Sequence, residues 1–430
     1  MSKVNPFAPN SPVPHGMFVG RIEEINRLDT CLTQTKSGRP ANFMITGERG
    51  IGKSSLLNYI KYVANGLIKI NGSKLNFLVI DTDIDKGTTQ LGLIKKIQLG
   101  LDRALGETEA ARTLMKDLWK FIQRVEVGSA RIKPGERSDI DELLSEEFSY
   151  SLAEVTNRIC CVGEEPSLFT TNKDGILILI DEADNGSRDL DLGTFFKLLT
   201  ERLQRRSCNK IAFGLAGLSE LRNVLFKSHP SSLRIFEELV LGRLSGSEIN
   251  RVIDMCLKEA NSTNEIQTMI TDIARAYLVS YSEGYPHFIQ QFGSSAFTAD
   301  VDNVIDEKDV AKGAFGDRGA LELIGDRYYR DNFYNKIQKD SYRQVLRIMA
   351  DKLDGWVTKQ EIRKKFRGKT TTLDNAITAL RDRKIIFSKE GEKGVYRLQH
   401  KGFAFWIKMY TTDPSELESA APSQSVVDEP

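Results

Sequence analysis

The 430-residue chain lacks the features that mark secreted, metal-binding or membrane proteins. Its five cysteines form no C-x-x-C pair and show no metal-ligand spacing, as is typical of reduced thiols in a cytosolic protein. The first residues contain no apolar signal core, and the longest aliphatic run, Ile176 to Ile180, is far too short to span a bilayer. We therefore expect a cytoplasmic protein without a membrane partner.

The chain as a whole also has no excess of charge of one sign, because it contains 60 Lys and Arg and 59 Asp and Glu. The charges are unevenly distributed, however. Residues 341–410 contain 17 Lys and Arg against 7 Asp and Glu, whereas the rest of the chain contains 43 against 52. A positive C-terminal segment on an acidic body indicates a polyanion or an acidic protein surface as partner.

A glycine-rich stretch near the amino end carries the clearest chemistry. Residues 47–54 read G-x-x-x-x-G-K-S, between an apolar run typical of a buried strand and apolar residues at helical spacing. Strand, glycine loop and helix predict a phosphate cradle, in which backbone N–H groups and the helix N-terminus face phosphate oxygens. We predict that Lys53 reaches the β- and γ-phosphates of a nucleotide and that Ser54 binds Mg²⁺. The predicted nucleotide-binding residues of this stretch are Gly47, Glu48, Arg49, Gly50, Ile51, Gly52, Lys53, Ser54 and Ser55.

A second apolar run, Ile176 to Ile180, ends in the carboxylates Asp181 and Glu182. Its β-branched and leucine residues are typical of a central strand in a parallel sheet. The two acids would then lie at the carboxyl edge of the sheet, where open α/β sheets bind ligands. We predict that Asp181 takes part in Mg²⁺ binding and that Glu182 orients and deprotonates the attacking water, with Lys53 as the third catalytic residue.

These motifs resemble a known family. The segment Phe18-Val19-Gly20-Arg21, one helix, and then MITGERGIGKSSLL look like the start of the origin-recognition-like AAA+ ATPase domain, which STAND signalling ATPases and archaeal-type ATPases share. The resemblance covers most of residues 1–410. It implies that Mg-ATP binds between an α/β core and a helical lid, and that ATP promotes assembly into homo-oligomers. An arginine of a neighbouring subunit would complete the site, for which Arg222, Arg234 and Arg243 lie in the appropriate part of the chain.

The resemblance also implies roles for residues outside the two motifs. The N-terminal arm, Phe18 and Val19 would lie against the adenine, and Pro286 of a Gly-x-Pro turn would pack near the nucleotide. The residues themselves leave simpler interpretations open, since Phe18 is equally suited to begin an apolar core and Pro286 to begin a helix. Relatives have a polar γ-phosphate sensor after the strand at 210–216, where this chain offers only Ser219. Rapid hydrolysis and simple ATP binding therefore both remain open.

The C-terminal residues 341–410 predict three helices and two short strands, at 385–388 and 395–398, which together indicate a winged helix. Thr358 is the predicted N-cap of the second helix. The third helix, Thr370 to Lys384, would enter the major groove of double-stranded DNA, with contacts from Lys369, Arg381 and Lys384. An acidic protein surface is the alternative partner, because winged helices of STAND proteins often contact proteins.

The expected fold class is therefore α/β, with an AAA+-like P-loop parallel-sheet core, a helical lid and a C-terminal winged helix. The expected function is an ATP-hydrolysing switch that couples nucleotide state to oligomerisation and DNA contact. A signalling scaffold with slow turnover, whose winged helix binds protein, is the alternative. The predicted segments are an extended arm at 1–16, a core at 17–245 with a helical insertion at about 85–170, a lid at 246–335, a winged helix at 341–410 and a disordered tail at 411–430.

Overall fold

The computed structural model describes residues 3–12, 14–70, 72, 74–106, 137–160, 172–353 and 355–411. The chain divides into two compact units. The sheet unit comprises Ser11–Arg243, and the helical unit comprises Met1–Asn10 together with Leu244–Pro430. The predicted tail and the middle of the predicted insertion lie outside the described residues, and the predicted segment boundaries stay predictions.

A five-stranded parallel sheet forms the centre of the sheet unit. Its strands are β1 (Asn42–Gly47), β2 (Phe77–Asp83), β3 (Gly175–Asp181), β4 (Ile211–Gly217) and β5 (Phe236–Leu241), in the spatial order β2-β3-β4-β1-β5. The helices around it are α1 (Ile22–Lys36), α2 (Lys53–Ala64), α3 (Gln90–Leu105), α4 (Arg137–Ile159), α5 (Leu192–Arg205) and α6 (Leu221–Ser228). The predicted α/β fold class with a parallel-sheet core is confirmed.

The central strands are apolar because both faces of the sheet are covered. Every residue of β1 and β4 is buried, as is β3 up to its last residue. Close packing between β1 and β4 depends on a missing side chain, since Gly214 is paired with Phe43. A Cβ on Gly214 would lie 2.4 Å from the Phe43 ring. On one face Phe196 of α5 meets Phe213 and Phe236 edge-on, with centroid separations of 5.2 and 5.8 Å.

The helical unit contains short helices and two small sheets. Its first part consists of α7 (Gly246–Thr263), α8 (Asp272–Ser282), α9 (Pro286–Ala299), α10 (Glu307–Phe315) and α11 (Ala320–Ile324), with the two-residue strands β6 (Met269–Ile270) and β7 (Val304–Ile305). Two π-helical turns, Gly325–Tyr329 and Asp331–Asn335, follow α11. Gly325 is required there, because a Cβ would lie 2.0 Å from the indole of the fully buried Trp406.

The described C-terminal part of this unit contains four helices and a three-stranded antiparallel sheet. The helices are α12 (Asp340–Ala350), α13 (Lys359–Lys365), α14 (Thr370–Asp382) and α15 (Lys401–Tyr410). The strands are β8 (Val357–Thr358), β9 (Ile386–Ser388) and β10 (Val395–Leu398), in the order β8-β10-β9. The elements expected at 341–410 are thus present, and β8 and α15 are additions that sequence patterns did not predict.

Among the described residues, no helix is both long and apolar enough to cross a bilayer.

The start of α13 is stabilised by a capping box, as Thr358 predicts. Thr358 Oγ1 accepts a hydrogen bond from the Glu361 N–H at 3.2 Å, and Glu361 Oε2 accepts one from the Thr358 N–H at 2.7 Å. Lys352 Nζ lies 2.6 Å from Glu361 Oε1. The Lys352 ammonium, followed by the Thr358 bonds, lowers the pKa of Glu361 to about 2.

This lowered pKa predicts a pH-dependent stabilisation of the C-terminal elements. The ionised Glu361 stabilises the fold fully above its ordinary pKa of 4.5, and this contribution is lost as the pH falls toward 2. We expect Glu361→Gln to lower the thermal unfolding midpoint at pH 7, with a difference from the unsubstituted chain that shrinks between pH 5 and pH 3. Glu390→Gln, in the exposed turn between β9 and β10, is the matched control. An equal difference at pH 7 and pH 3 would contradict the assignment.

Candidate nucleotide-binding site

The glycine loop between β1 and α2 turns in a way that only glycine allows without strain. Gly50 and Gly52 have φ values of 78° and 99°, in the left-handed region. Gly47 is confined by its neighbours, because a Cβ would lie 2.9 Å from Ile51 Cγ2 and 3.1 Å from the carbonyl oxygen of Leu241. The backbone therefore folds back tightly, and α2 begins directly at Lys53.

The Lys53 side chain lies along this loop. Its Nζ donates hydrogen bonds to the carbonyl oxygens of Gly47 at 3.1 Å and Glu48 at 3.0 Å. Burial lowers the pKa of Lys53 from its ordinary value, while the carboxylates of Asp181 and Asp184 act in the opposite direction. The structure thus places the ammonium group at the mouth of the loop and close to the acidic strand end.

The two predicted motifs meet at one hydrogen bond. Ser54 Oγ donates to Asp181 Oδ2 at 2.6 Å, although the two residues are 127 positions apart in the chain. The other carboxylate oxygen, Asp181 Oδ1, accepts from the Glu182 N–H at 2.8 Å. A hydroxyl beside a carboxylate is a pair of hard oxygen ligands of the kind that Mg²⁺ prefers, so the residues present fit this ion. Within the described part of the chain, no group of three or more His, Cys, Asp or Glu forms a separate metal site.

Glu182 is held in an unusual backbone conformation. Its φ of 53° and ψ of 32° are left-handed, which is uncommon outside glycine and occurs often at functional sites. The side chain is exposed, and its Oε2 accepts a hydrogen bond from Asn185 Nδ2 at 3.2 Å. The same amide nitrogen lies 3.2 Å from the carbonyl oxygen of Ile84, directly after the neighbouring strand β2. The carboxylate is therefore accessible to solvent at the edge of the sheet, with its orientation set by Asn185.

Asp184 is a site residue that sequence reasoning missed. Its Oδ1 accepts from the Leu218 N–H at 2.9 Å, which ties the segment after β3 to the end of β4. Gly217 leaves room for this carboxylate, because a Cβ there would lie 2.7 Å from Asp184 Oδ1. Ser219, the weak sensor candidate, is exposed. The only available signal for Asp184 was its position three residues after Asp181.

Phe18 packs against the helix that follows the glycine loop. Its ring stacks on Tyr59 of α2, with centroids 4.8 Å apart and planes inclined by 26°. Phe18 and Val19 are both half-buried. The Phe18 contact is the one expected of an apolar residue that begins a core, and the predicted adenine contacts of both residues stay predictions.

Arg21 is a second residue that sequence reasoning left without a role. It is 8% exposed and has a left-handed backbone with φ 62°. Its Nη2 donates to the carbonyl oxygen of Ile51 at 3.1 Å and to that of Gly242 at 2.6 Å. This guanidinium therefore connects the glycine loop to the backbone after β5. The Gly-Arg pair at the start of α1 is compatible with a backbone turn but does not reveal these distant partners.

The remaining predicted site residues lie in the helical unit. Pro286 occupies the first position of α9, as expected of a simple helix start. Lys369 directly precedes α14, Arg381 lies in its last turn, and Lys384 follows it with a φ of 57°. All three basic residues are exposed, and their predicted contacts with DNA stay predictions.

Comparison with known protein families explains the glycine loop and the acidic strand end. Residues 17–208 match the family model of the AAA ATPase domain. This part of the chain is an AAA ATPase domain. The match includes both predicted motifs, from the glycine loop at 47–54 to Asp181 and Glu182. The chain therefore contains a nucleotide-binding domain of the AAA ATPase type, as the resemblance predicted.

Solved structures with the same fold cover nearly the whole chain. A Walker-type ATPase of Pyrococcus abyssi is similar with a TM-score of 0.54 and 16% identity, over 91% of this chain and 96% of that one. The ORC2 protein of Aeropyrum pernix is similar with a TM-score of 0.53 and 15% identity, over 91% of this chain and 92% of that one. These likenesses extend the fold assignment beyond the AAA ATPase domain.

A curated sequence relative matches only a short segment. An uncharacterized HTH-type transcriptional regulator of Methanocaldococcus jannaschii is 42% identical over 62 residues, which is 14% of this chain. The chain spans 15% of the length of that relative.

The Asp184 contact predicts a measurable loss of stability. Asp184→Ala removes the acceptor of the Leu218 N–H, which should lower the free energy of unfolding by about 1–2 kcal/mol in urea denaturation. Asp184→Asn retains an acceptor oxygen and should preserve most of that stability. Asp189→Ala, at an exposed position of the same connection, is the control. Equal losses for Asp184→Ala and Asp189→Ala would contradict the proposed anchoring role.

Proposed function

We propose that this protein is an ATP-hydrolysing molecular switch that binds Mg-ATP at the glycine loop. The observation that carries the proposal is the 2.6 Å hydrogen bond from Ser54 Oγ to Asp181 Oδ2, because it joins the phosphate loop to the acidic end of β3. The similar ORC2 protein was solved in complexes with ADPNP and ADP, so its fold accommodates adenine nucleotides. ATP is therefore the proposed substrate.

Each residue of the site has a proposed part in binding. The backbone N–H groups of residues 48–52 and the start of α2 would face phosphate oxygens. Lys53 now bonds two neutral carbonyl oxygens, and a phosphate oxygen would offer it a stronger, charge-assisted partner. Arg21 would keep the loop in this conformation through Ile51. Ser54 and Asp181 would hold Mg²⁺, which neutralises charge on the β- and γ-phosphates when bound.

Glu182 is the proposed general base. Its carboxylate is exposed at the edge of the sheet beside Asp181, where it would orient water for attack on the γ-phosphate and accept a proton. Two features support slow turnover. Asn185 already donates a hydrogen bond to the Glu182 carboxylate, and β4 is followed by the exposed Ser219, which contributes no buried polar group near the site.

Glu182→Gln tests the catalytic assignment. The variant should bind ATP as tightly as the unsubstituted chain, because the loop is unchanged, while hydrolysis should fall by about 10²–10⁴-fold. Phosphate release and equilibrium binding of a fluorescent ATP analogue measure the two effects separately. Lys53→Ala is the comparison variant and should lose nucleotide binding. If turnover survives in Glu182→Gln the base is a different residue, and if the unsubstituted chain binds no purine nucleotide the whole proposal fails.

We further propose that residues 341–410 form a winged helix that contacts double-stranded DNA. The exposed face of α14 presents Thr371, Asn375, Thr378 and Arg381, at intervals of four, three and three residues. Leu373, Ile377 and Leu380 are buried on the other side. A polar face on a helix at the surface is what groove recognition requires.

The distribution of charge supports the same partner. Part of the positive charge of this segment is neutralised internally, since Lys365 pairs with Asp351 and Lys359 with Asp374. Lys369 and Arg381 form no ion pair with any described residue and remain available for phosphates. These two side chains lie at opposite ends of α14, so both could reach the backbone of a duplex whose groove holds the helix. The alternative partner is an acidic protein surface, which would bind the same basic residues without a groove for the helix.

Salt dependence distinguishes the two partners. For DNA, the logarithm of the binding constant should fall linearly with the logarithm of salt concentration. Reversing the charge in Arg381→Glu combined with Lys384→Glu should weaken binding strongly, and Arg381→Ala should reduce the salt slope by about one. Lys258→Glu, an exposed position on α7, is the control. Fluorescence anisotropy with a labelled duplex measures both quantities, and salt-insensitive or absent binding would favour the protein partner.

ATP-dependent self-association and a cytoplasmic location also remain hypotheses. Among the arginines considered for a role in a neighbouring subunit, Arg222 forms an ion pair with Glu238 of its own chain. This pair is partly exposed, so it would cost little to exchange for a phosphate.

A further inference from the structure

Residues 3–10 of the N-terminal arm are bound to other residues of the helical unit. Lys3 Nζ forms an ion pair with Asp300, whose side chain is fully buried. The backbone of Val4 makes a reciprocal pair of hydrogen bonds with the Asn264 amide, with its N–H donating to Oδ1 at 2.8 Å and its carbonyl oxygen accepting from Nδ2 at 3.0 Å. The arm is thus fixed at its first described residues.

Asn5 is recognised through its side chain. Its Nδ2 donates to the Ser294 carbonyl oxygen at 2.9 Å, and lies 3.1 Å from both Ser294 Oγ and Thr298 Oγ1. Its Oδ1 accepts the Phe7 N–H at 3.0 Å, which bends the arm over Pro6 and directs the Phe7 ring toward α9. Both the nitrogen and the oxygen of the Asn5 amide therefore form hydrogen bonds.

Phe7 fills a pocket that exists because α9 contains a glycine. The Phe7 side chain is 5% exposed, and its ring meets Phe297 edge-on with centroids 6.5 Å apart. A Cβ on Gly293 would lie 2.3 Å from the Phe7 ring, so any other residue at 293 would expel the ring. After Phe7, the N–H of Ala8 donates to Gln290 Oε1 at 2.8 Å.

Arg327, in the first π-helical turn, binds residues 9 and 10 of the arm. Its guanidinium donates to the carbonyl oxygen of Pro9 and to Asn10 Oδ1, and lies 3.0 Å from His287 Nε2 at the start of α9. The side chain thus connects the arm, α9 and the π-helical segment. This position of His287 also gives it a partner within the protein.

These contacts have the form of peptide recognition. Backbone groups of the arm form hydrogen bonds at Val4, Ala8 and Pro9. Three arm side chains also have partners: Lys3 pairs with a carboxylate, Asn5 bonds α9, and Phe7 contacts an aromatic ring. We propose that α9, with Asn264, Asp300 and Arg327, is a peptide-binding groove specific for the sequence Lys-Val-Asn-Pro-Phe-Ala. Its occupant is the chain's own arm, which can be displaced. The proposal is independent of nucleotide or DNA binding.

Displacement by a free peptide tests this proposal in the full chain. The probe is a fluorescein-labelled peptide of residues 1–12, and the host is the full chain carrying Phe7→Ala, whose own arm is weakened. We expect saturable binding that is at least about tenfold tighter than binding to the unsubstituted chain, because an intact arm competes at an effective concentration near millimolar. Anisotropy titration measures both affinities.

Two controls do not depend on the folding of a groove variant. The labelled peptide with its own Asn5 or Phe7 replaced by Ala should bind the Phe7→Ala chain at least about tenfold more weakly than the natural peptide. Amide hydrogen exchange in the full chain should show Val4 and Ala8 protected, with protection reduced at least about tenfold by Phe7→Ala. A scrambled peptide that binds equally well would overturn the proposal. The proposal would also be overturned if the Phe7→Ala chain kept the exchange protection of Val4 and Ala8 and did not bind the peptide. Phe7 would then not contribute to binding of the arm.

Discussion

The hydrogen bond between Ser54 and Asp181 depends on the order of the parallel strands. All five strands deliver their carboxyl ends to one edge, and β4 alone separates β1 from β3. A hydroxyl at the start of α2 can therefore reach a carboxylate at the end of β3. The buried, apolar character of these strands is the condition for this arrangement, since any slip in their register would separate the phosphate loop from the acids.

Two charged side chains near the site form hydrogen bonds with the backbone of the surrounding loops. Arg21 joins the glycine loop to the backbone after β5, and Asp184 joins the segment after β3 to the end of β4. Both act on carbonyl oxygens or N–H groups of loops at the carboxyl edge, where a sheet offers no further ladder partners. A charged side chain bonded to backbone in this position stabilises a loop conformation in advance of ligand binding.

In the helical unit, side chains likewise form hydrogen bonds with backbone groups, here those of the N-terminal arm. A single glycine in α9 opens a pocket for Phe7, and amide and charged side chains bond the flanking backbone. The resemblance to AAA+ ATPases led us to expect the arm near adenine, and this contact stays a prediction. The structure shows residues 3–10 bound to α9 and its neighbours. Arm residues of this kind carry no helical or strand periodicity, so no local pattern could have predicted where they bind.

Local spacing by itself determined the phosphate loop, the acidic strand end, the α/β class and the helices and hairpin of the C-terminal segment. Each of these follows from residues within one turn, strand or helix, where steric limits and burial act over a few positions. Only the tertiary structure decided that Ser54 meets Asp181, that Arg21 reaches Ile51 and Gly242, and that Phe7 enters a pocket made by Gly293. These contacts join residues that are far apart in the chain, and their geometry depends on strand order and helix packing, which leave no periodic trace in sequence.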